Sequence, residues 1–411
     1  MTRVLLLLPT TTYRASDFLE AARRLDVDVT VASEEPNALA SVHPDRLLTI
    51  DFRDPEACVR RVREFVRTHP IDAVVGVDDD TVVAAAAICD ALGLPANSPE
   101  SASAARNKAA LRRALEEAGV PGPRSTLFRL DDDPAEAARR VDYPCVLKPT
   151  FLSGSRGVIR ADDPESFLAA WRRIEAILRR PEVAAKGGAA ANEILVEQYV
   201  AGVEVAVEGL LTDGNLDVLA VFDKPDPLEG PFFEETIYVT PSRLREETLA
   251  AVRSTTERAC RALGLVHGPI HAELRVNQIG LSVIEVAARS IGGLCSRALS
   301  FGAGISLEEL ILRHALGREE GRSPRDPRAA GVMMIPIPRA GRLEKVSGLE
   351  EARAVPDVQD VVVSAHAGQR LVPLPEGSRY LGFIFSRAET ADRAEAALRE
   401  ALAALTFRIA D

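Results

Sequence analysis

Glu273 and Glu285 are the residues of this chain best placed to do chemistry together. The stretch from His271 to Glu285 reads as one tight β-hairpin. A three-residue loop of Gln278, Ile279 and Gly280 would set the two glutamates directly opposite each other, with Gly280 supplying the left-handed conformation such turns favour. Their Cβ atoms would then lie roughly 5 Å apart on one face, and like charges held so are destabilising unless something positive sits between them. The simplest occupant is a hard divalent cation such as Mg²⁺, with Mn²⁺ as an alternative, because such ions take oxygen ligands and bridge carboxylates to nucleotide phosphates. A solvated hairpin whose two acids meet by chance is the plain alternative.

A second group of residues has the chemistry of an anion site. Lys148 ends a strand-like run and is followed by Phe151-Leu-Ser-Gly-Ser-Arg-Gly-Val158. Small residues let backbone N–H groups approach an anion, and Ser153 and Ser155, on either side of Gly154, add hydroxyl donors. The loop joins two short strands and lacks the Gly-Lys-Ser/Thr ending of a P-loop, so it reads as a flexible flap; an ordinary hairpin loop would look the same. Further on, Glu197-Gln-Tyr199-Val200 ends a strand whose edge offers the carbonyl and N–H that an adenine needs, and Glu204 follows a turn from which it could accept ribose hydroxyls. His271 shares a strand face with Glu273 by the period of two and could touch substrate, or be a hydrogen-bonded core histidine.

These residues need elements to hold them. Residues 4–8, 27–31 and 73–77 read as strands and alternate with helical stretches at 17–25, 55–68 and 81–92, which predicts a doubly wound parallel sheet over the first hundred residues. No Gly-x-Gly-x-x-Gly follows the first strand, so a dinucleotide site there is not expected. Asp78, Asp79 and Asp80 read best as a solvated loop opening the next helix. Residues 99–119 form one helix or two, and an α+β region follows, in which 182–192 reads as a mobile surface loop. Strands return at 194–200, 203–211 and 216–222, then a helix at 243–263 and the carboxylate hairpin. Residues 318–330 read as a linker, and strands near 332–337, 358–363 and 380–385 with a helix at 391–405 predict a small α+β cap.

The 411 residues suit roughly two or three domains, and 46% hydrophobic with 27% charged residues is the composition of a soluble globular protein. A net charge of −11 argues against a general nucleic-acid binder. The five scattered cysteines suggest reduced core thiols and a cytoplasmic setting, and no apolar run is long enough for a membrane span.

In chain order, Lys108, Lys148, the glycine-rich flap, Glu197 to Glu204, Glu273, and Glu285 to Arg289 resemble the ATP-grasp superfamily over roughly residues 100–316. The resemblance implies ATP as cosubstrate, Lys108 and Lys148 on its phosphates, Glu197, Tyr199 and Val200 as the adenine linker, Glu204 on the ribose, and Glu273 and Glu285 as metal ligands. One departure stands out. Many members carry Glu-x-Asn-Pro-Arg at the second metal ligand, whereas this chain reads Glu285-Val-Ala-Ala-Arg289, so Ala287 replaces an amide ligand. That pattern, followed by Gly292-Gly293, is similar to the L-amino acid ligase branch, as is the C-terminal stretch from Tyr380 onward.

The implied fold is an α/β and α+β ATP-grasp architecture: a pre-ATP-grasp domain at 1–100, an ATP-grasp domain at 101–317 with its flap at about 125–200, the linker, and the cap at 331–411. The implied activity is ATP-dependent carboxylate–amine ligation through an acyl phosphate, on small molecules such as amino acids. Arg289 would hold the acyl phosphate, Gly292 and Gly293 would leave room for substrate, and Lys224 and Phe233 would line the substrate wall. A homodimer is compatible with this reading. An ATP-grasp enzyme for another metabolic acid and a non-catalytic nucleotide sensor are the competing expectations.

Overall fold

The computed structural model describes residues 2–40, 42–318 and 324–411, so 319–323 of the expected linker lie outside the described residues. The Arg3–Leu7 strand runs through the middle of a four-stranded parallel sheet, since Val4 to Leu7 are fully buried and need cover on both faces. Its neighbours are Asp28–Ser33 and Ala73–Gly76, and the short strand Leu47–Thr49, which the sequence pattern did not reveal, adds the edge beyond Asp28–Ser33. Parallel pairing puts all carboxyl ends at one rim, where Asp78, Asp79 and Asp80 follow the Ala73–Gly76 strand.

The expected helix at 99–119 is two helices, Pro99–Arg106 and Lys108–Glu117. Asn107 between them is extended, and its side-chain oxygen accepts the N–H groups of Ala109 and Ala110, so the second helix starts afresh with Lys108 at its first position. The flap lobe follows, a sheet in the order Ser125–Arg129, Glu193–Gln198, Cys145–Pro149, Ile159–Ala161 packed on the Pro164–Leu178 helix through Trp171, Phe167 and Phe128. Residues 182–192 are not a plain loop. Pro181–Gly187 is a helix, and Gly188–Asn192 is a 3₁₀ turn.

The largest sheet is antiparallel and has eight strands: Leu281–Ala287, Gly268–Val276, Val203–Thr212, Asn215–Lys224, Ile237–Thr240, Ala329–Ile335, Gly382–Ala388 and Val358–Val363. Its last three strands come from the C-terminal region, which therefore extends the central sheet while adding a small three-stranded sheet of its own. All five cysteines are buried free thiols. Among the described residues no helix is long and apolar enough to cross a membrane.

Candidate active site

The hairpin pairs Glu273 with Glu285, but by a different route from the one expected. Val276 faces Leu281, so the loop has one residue more than the three expected, and the register shifts between Glu273 and Leu274. That shift leaves Ile284 as the extra residue of a bulge and brings Glu285 back opposite Glu273. Lys108 Nζ donates to Glu285 Oε1 at 3.1 Å and to the Leu152 carbonyl at 2.8 Å. Lys224 Nζ lies 2.9 Å from Glu273 Oε1. Each glutamate thus has its own lysine, and the like-charge pair is tolerated on that account.

Two cavities meet at these glutamates. One, of about 90 Å³, is lined by Lys108, Lys148, Tyr199, Val200, Glu204 and Phe233 among others. The second, of about 280 Å³, is walled by His271, Arg289, Gly292, Gly293, Tyr238 and Tyr380. Ser153, Gly154, Ser155, Glu235, Glu273 and Glu285 line both. The serine–glycine loop turns sharply over this junction, with φ of +63° at Gly154 and +54° at Ser155.

On the smaller cavity's side, Glu197 is buried and held by Lys148 at 2.6 Å and Arg112 at 2.6 Å. Burial pushes its carboxyl up, but Arg112 and Lys148 together hold it below the usual value. Its side chain is therefore committed to the ion triad with Arg112 and Lys148. Tyr199 lies under the Arg160 guanidinium, 4.2 Å from ring centroid to carbon, and 6.4 Å from the Phe233 ring. Phe233, expected on a substrate wall, lines the smaller cavity and not the larger. Glu204 accepts from Arg275 Nε at 2.6 Å and Lys224 Nζ at 2.7 Å, so both carboxylate oxygens already have cationic donors.

Lys224 also departs from expectation. It lines neither cavity, and its buried ammonium reaches Glu204, Glu235 and Glu273 from behind the wall. Those three carboxylates have ligand atoms within 4.8 Å of one another, a spacing that suits a metal, yet the lysine already occupies their centre. Burial and the nearby Glu273 raise Glu235 to about 7 against the pull of Lys224, whereas Glu273, despite burial, is held well below its usual value by Lys224 and His271. His271 is fixed by Glu208 through Nδ1 and lies 3.3 Å from Glu273 through Nε2. Burial opposes its charged form, but Glu208 and Glu273 raise it to about 9.

Arg289 lines the larger cavity, and its guanidinium already has partners within the chain. Nε and Nη2 donate to the two oxygens of Asp79 at 2.9 and 2.8 Å, and Nη1 donates to the Ser290 carbonyl. Asp79, far from being a solvated loop residue, is pushed up by burial yet held down at about 2 by Arg289. The N-terminal sheet thus positions the arginine. Gly293 takes φ +62°, a left-handed conformation that strains other residues, and a Cβ there would crowd the Phe383 ring at 3.0 Å.

Glu208 and Arg112 went unnoticed in the sequence. Glu208 could have been found: it is an acid inside the apolar run Val205-Ala-Val-Glu-Gly-Leu-Leu211, and such a residue must have a buried partner. Glu273 and Glu285, 15% and 28% exposed as side chains, face the junction together with Glu235 at 18%, and an all-oxygen set fits a hard cation.

Three family signatures match the chain: an ATP-grasp N-terminal domain over residues 19–96, an ATP-grasp domain over 141–298, and the L-amino acid ligase C-terminal domain 2 over 333–410. The crystal structure of L-amino acid ligase from Bacillus licheniformis superposes with a TM-score of 0.84 and 30% identity, covering 100% of this chain and 99% of that one. Human carnosine synthase 1 is 29% identical over 68% of this chain and 35% of its own length. Alanine–anticapsin ligase of Bacillus subtilis is 26% identical over 68% of this chain and 60% of its own. This chain therefore spans less than two thirds of either relative. A site that converges on paired lysines and paired glutamates, in a fold shared from end to end at 30% identity, leaves one assignment: the chain belongs to the L-amino acid ligase branch of the ATP-grasp superfamily, the ATP-dependent ligases that form carbon–nitrogen bonds.

Proposed function

We propose that this protein joins the carboxylate of one amino acid to the amine of another, with ATP converted to ADP and phosphate. The observation that carries the reading is the junction of the two cavities: the Ser153–Ser155 loop and both glutamates line each of them, which supports a nucleotide side and a substrate side meeting there. A carboxylate is a poor acyl donor, since its leaving group would be oxide. When a carboxylate oxygen bonds to the γ-phosphorus and the bond to the bridging oxygen breaks, ADP departs and an acyl phosphate remains. The amine nitrogen then attacks the acyl carbon, phosphate leaves with the C–O electron pair, and the nitrogen sheds its proton to solvent.

Such a transfer needs alignment and charge neutralisation more than covalent help. Lys108 and Lys148 supply fixed positive charge on the nucleotide side, and Arg289, locked by Asp79, supplies it on the substrate side. Glu273 and Glu285 would hold Mg²⁺, which when bound neutralises phosphate oxygens. The Ser153–Ser155 loop excludes water that would hydrolyse the activated acid.

The test is turnover with ATP, Mg²⁺ and paired amino acids. Parent protein should release phosphate only when both are present, and Glu285→Gln should lower that rate at least about 100-fold. Equal rates in the two proteins would remove Glu285 from the reaction.

A further inference from the structure

Lys186 is the one cation lining the larger cavity whose ammonium is not fixed by burial or by several partners among the described residues. Lys108, Lys148, Lys224 and Arg289 are 7%, 6%, 3% and 11% exposed as side chains, and each is held by the partners described above. Lys186 is 36% exposed, and its ion-pair partner among the described residues is Asp80, at 2.6 Å. Asp80 also accepts from Arg106 Nη2 at 2.9 Å, so it keeps a cation if Lys186 departs. The pair crosses from the flap lobe to the N-terminal sheet, on the same cavity as Ser153, Ser155, Glu285 and Arg289.

The backbone brings this lysine to the phosphate loop by a close approach. Lys186 lies in the last turn of the Pro181–Gly187 helix, and a Cβ on the next residue, Gly187, would lie 2.3 Å from Cζ of Phe151. Phe151 immediately precedes Leu152 and Ser153, so the helix end is seated on the root of the loop. An ammonium on a four-carbon stem at that place can swing from Asp80 into the cavity while its helix stays put.

We propose that Lys186 is a catalytic residue of the ligation: its ammonium leaves Asp80 and holds the phosphoryl oxygens while the group passes from ATP to the substrate carboxylate. This rests on the ligase reading above. In the step, one O–P bond forms as another breaks, the electron pair leaves with ADP, and Lys186 gives up no proton. Its charge is strongest where negative charge crosses the junction, which lowers the barrier without tightening ground-state binding.

Steady-state kinetics of the whole protein with ATP, Mg²⁺ and an accepted amino-acid pair test this, together with hydroxylamine trapping of the acyl phosphate. Lys186→Met should lower kcat and the hydroxamate yield about 100-fold with KM for ATP changed less than about threefold, and Lys186→Arg should recover most of the loss. The melting temperature should match the parent. A lysine that merely straps helix to sheet would instead lower the melting temperature or raise KM and leave kcat intact, and that result overturns the proposal. Parent protein that turns over no amino-acid pair refutes the ligase reading, and the proposal with it; an active parent with a fully active Lys186→Met refutes Lys186 alone.

Discussion

At the scale of single residues, the pairing of Arg289 with Asp79 decides how its loss will look. The two side chains are 11% and 19% exposed, so Arg289→Ala leaves a largely buried carboxylate without its cation and should cost about 3 kcal/mol of stability. The double variant Arg289→Ala with Asp79→Ala should regain most of that stability in chemical denaturation and remain inactive. A double variant as unstable as the single would show that the pair is not the cause. His267 gives a second case. Its Nε2 is buried without a hydrogen-bond partner, its ring lies 4.3 Å from His314, and burial with that neighbour holds it at about 4, down from 6.5. The unfolded chain takes up this proton near pH 6.5 and the folded chain only near 4, so stability falls as pH drops through that window. His267→Leu should flatten the fall in melting temperature there; identical pH profiles would contradict it. The Asp79 partnership was illegible in the sequence, because 210 positions separate donor from acceptor and three aspartates in a row look alike.

Among the elements, the flap is held by the C-terminal region. The Gly157 N–H donates to the Pro375 carbonyl at 2.9 Å, Arg156 Nε to the Glu376 carbonyl at 3.1 Å, and Arg173 pairs with the Glu376 carboxylate. Arg173 is 42% exposed, so the ion pair is worth at most about 1 kcal/mol. Glu376→Ala should therefore raise KM for ATP no more than about fivefold and speed hydrogen exchange at residues 154–158. Unchanged exchange there would show that the loop closes without this contact. The Glu273–Glu285 pairing was expected from a three-residue loop, but the loop has four residues and the bulge at Ile284 restores the register; nothing in Val283-Ile-Glu285 marks that extra residue. The helix at Pro181–Gly187 was missed because its glycines and alanines look like a loop. Its proline start and the packing of Val183 in the flap core say otherwise.

For the whole molecule, the family was legible in the order of the lysines, the glycine-rich loop and the glutamates along the chain, and so was the N-terminal parallel sheet. The merging of the C-terminal strands into one eight-stranded sheet was not, because edge pairing between distant segments leaves no local pattern. That shared sheet carries Met334 of the C-terminal region and Glu273 of the centre, and Tyr380 and, from beyond the separate N-terminal sheet, Asp79 line the same space. The measurement that bears most directly on this joint cavity is mass spectrometry of products from ATP, Mg²⁺ and paired amino acids. One ADP, one phosphate and one product with the summed mass of both amino acids less one water are expected for each ATP consumed. AMP with pyrophosphate, or phosphate without any amide, would contradict it.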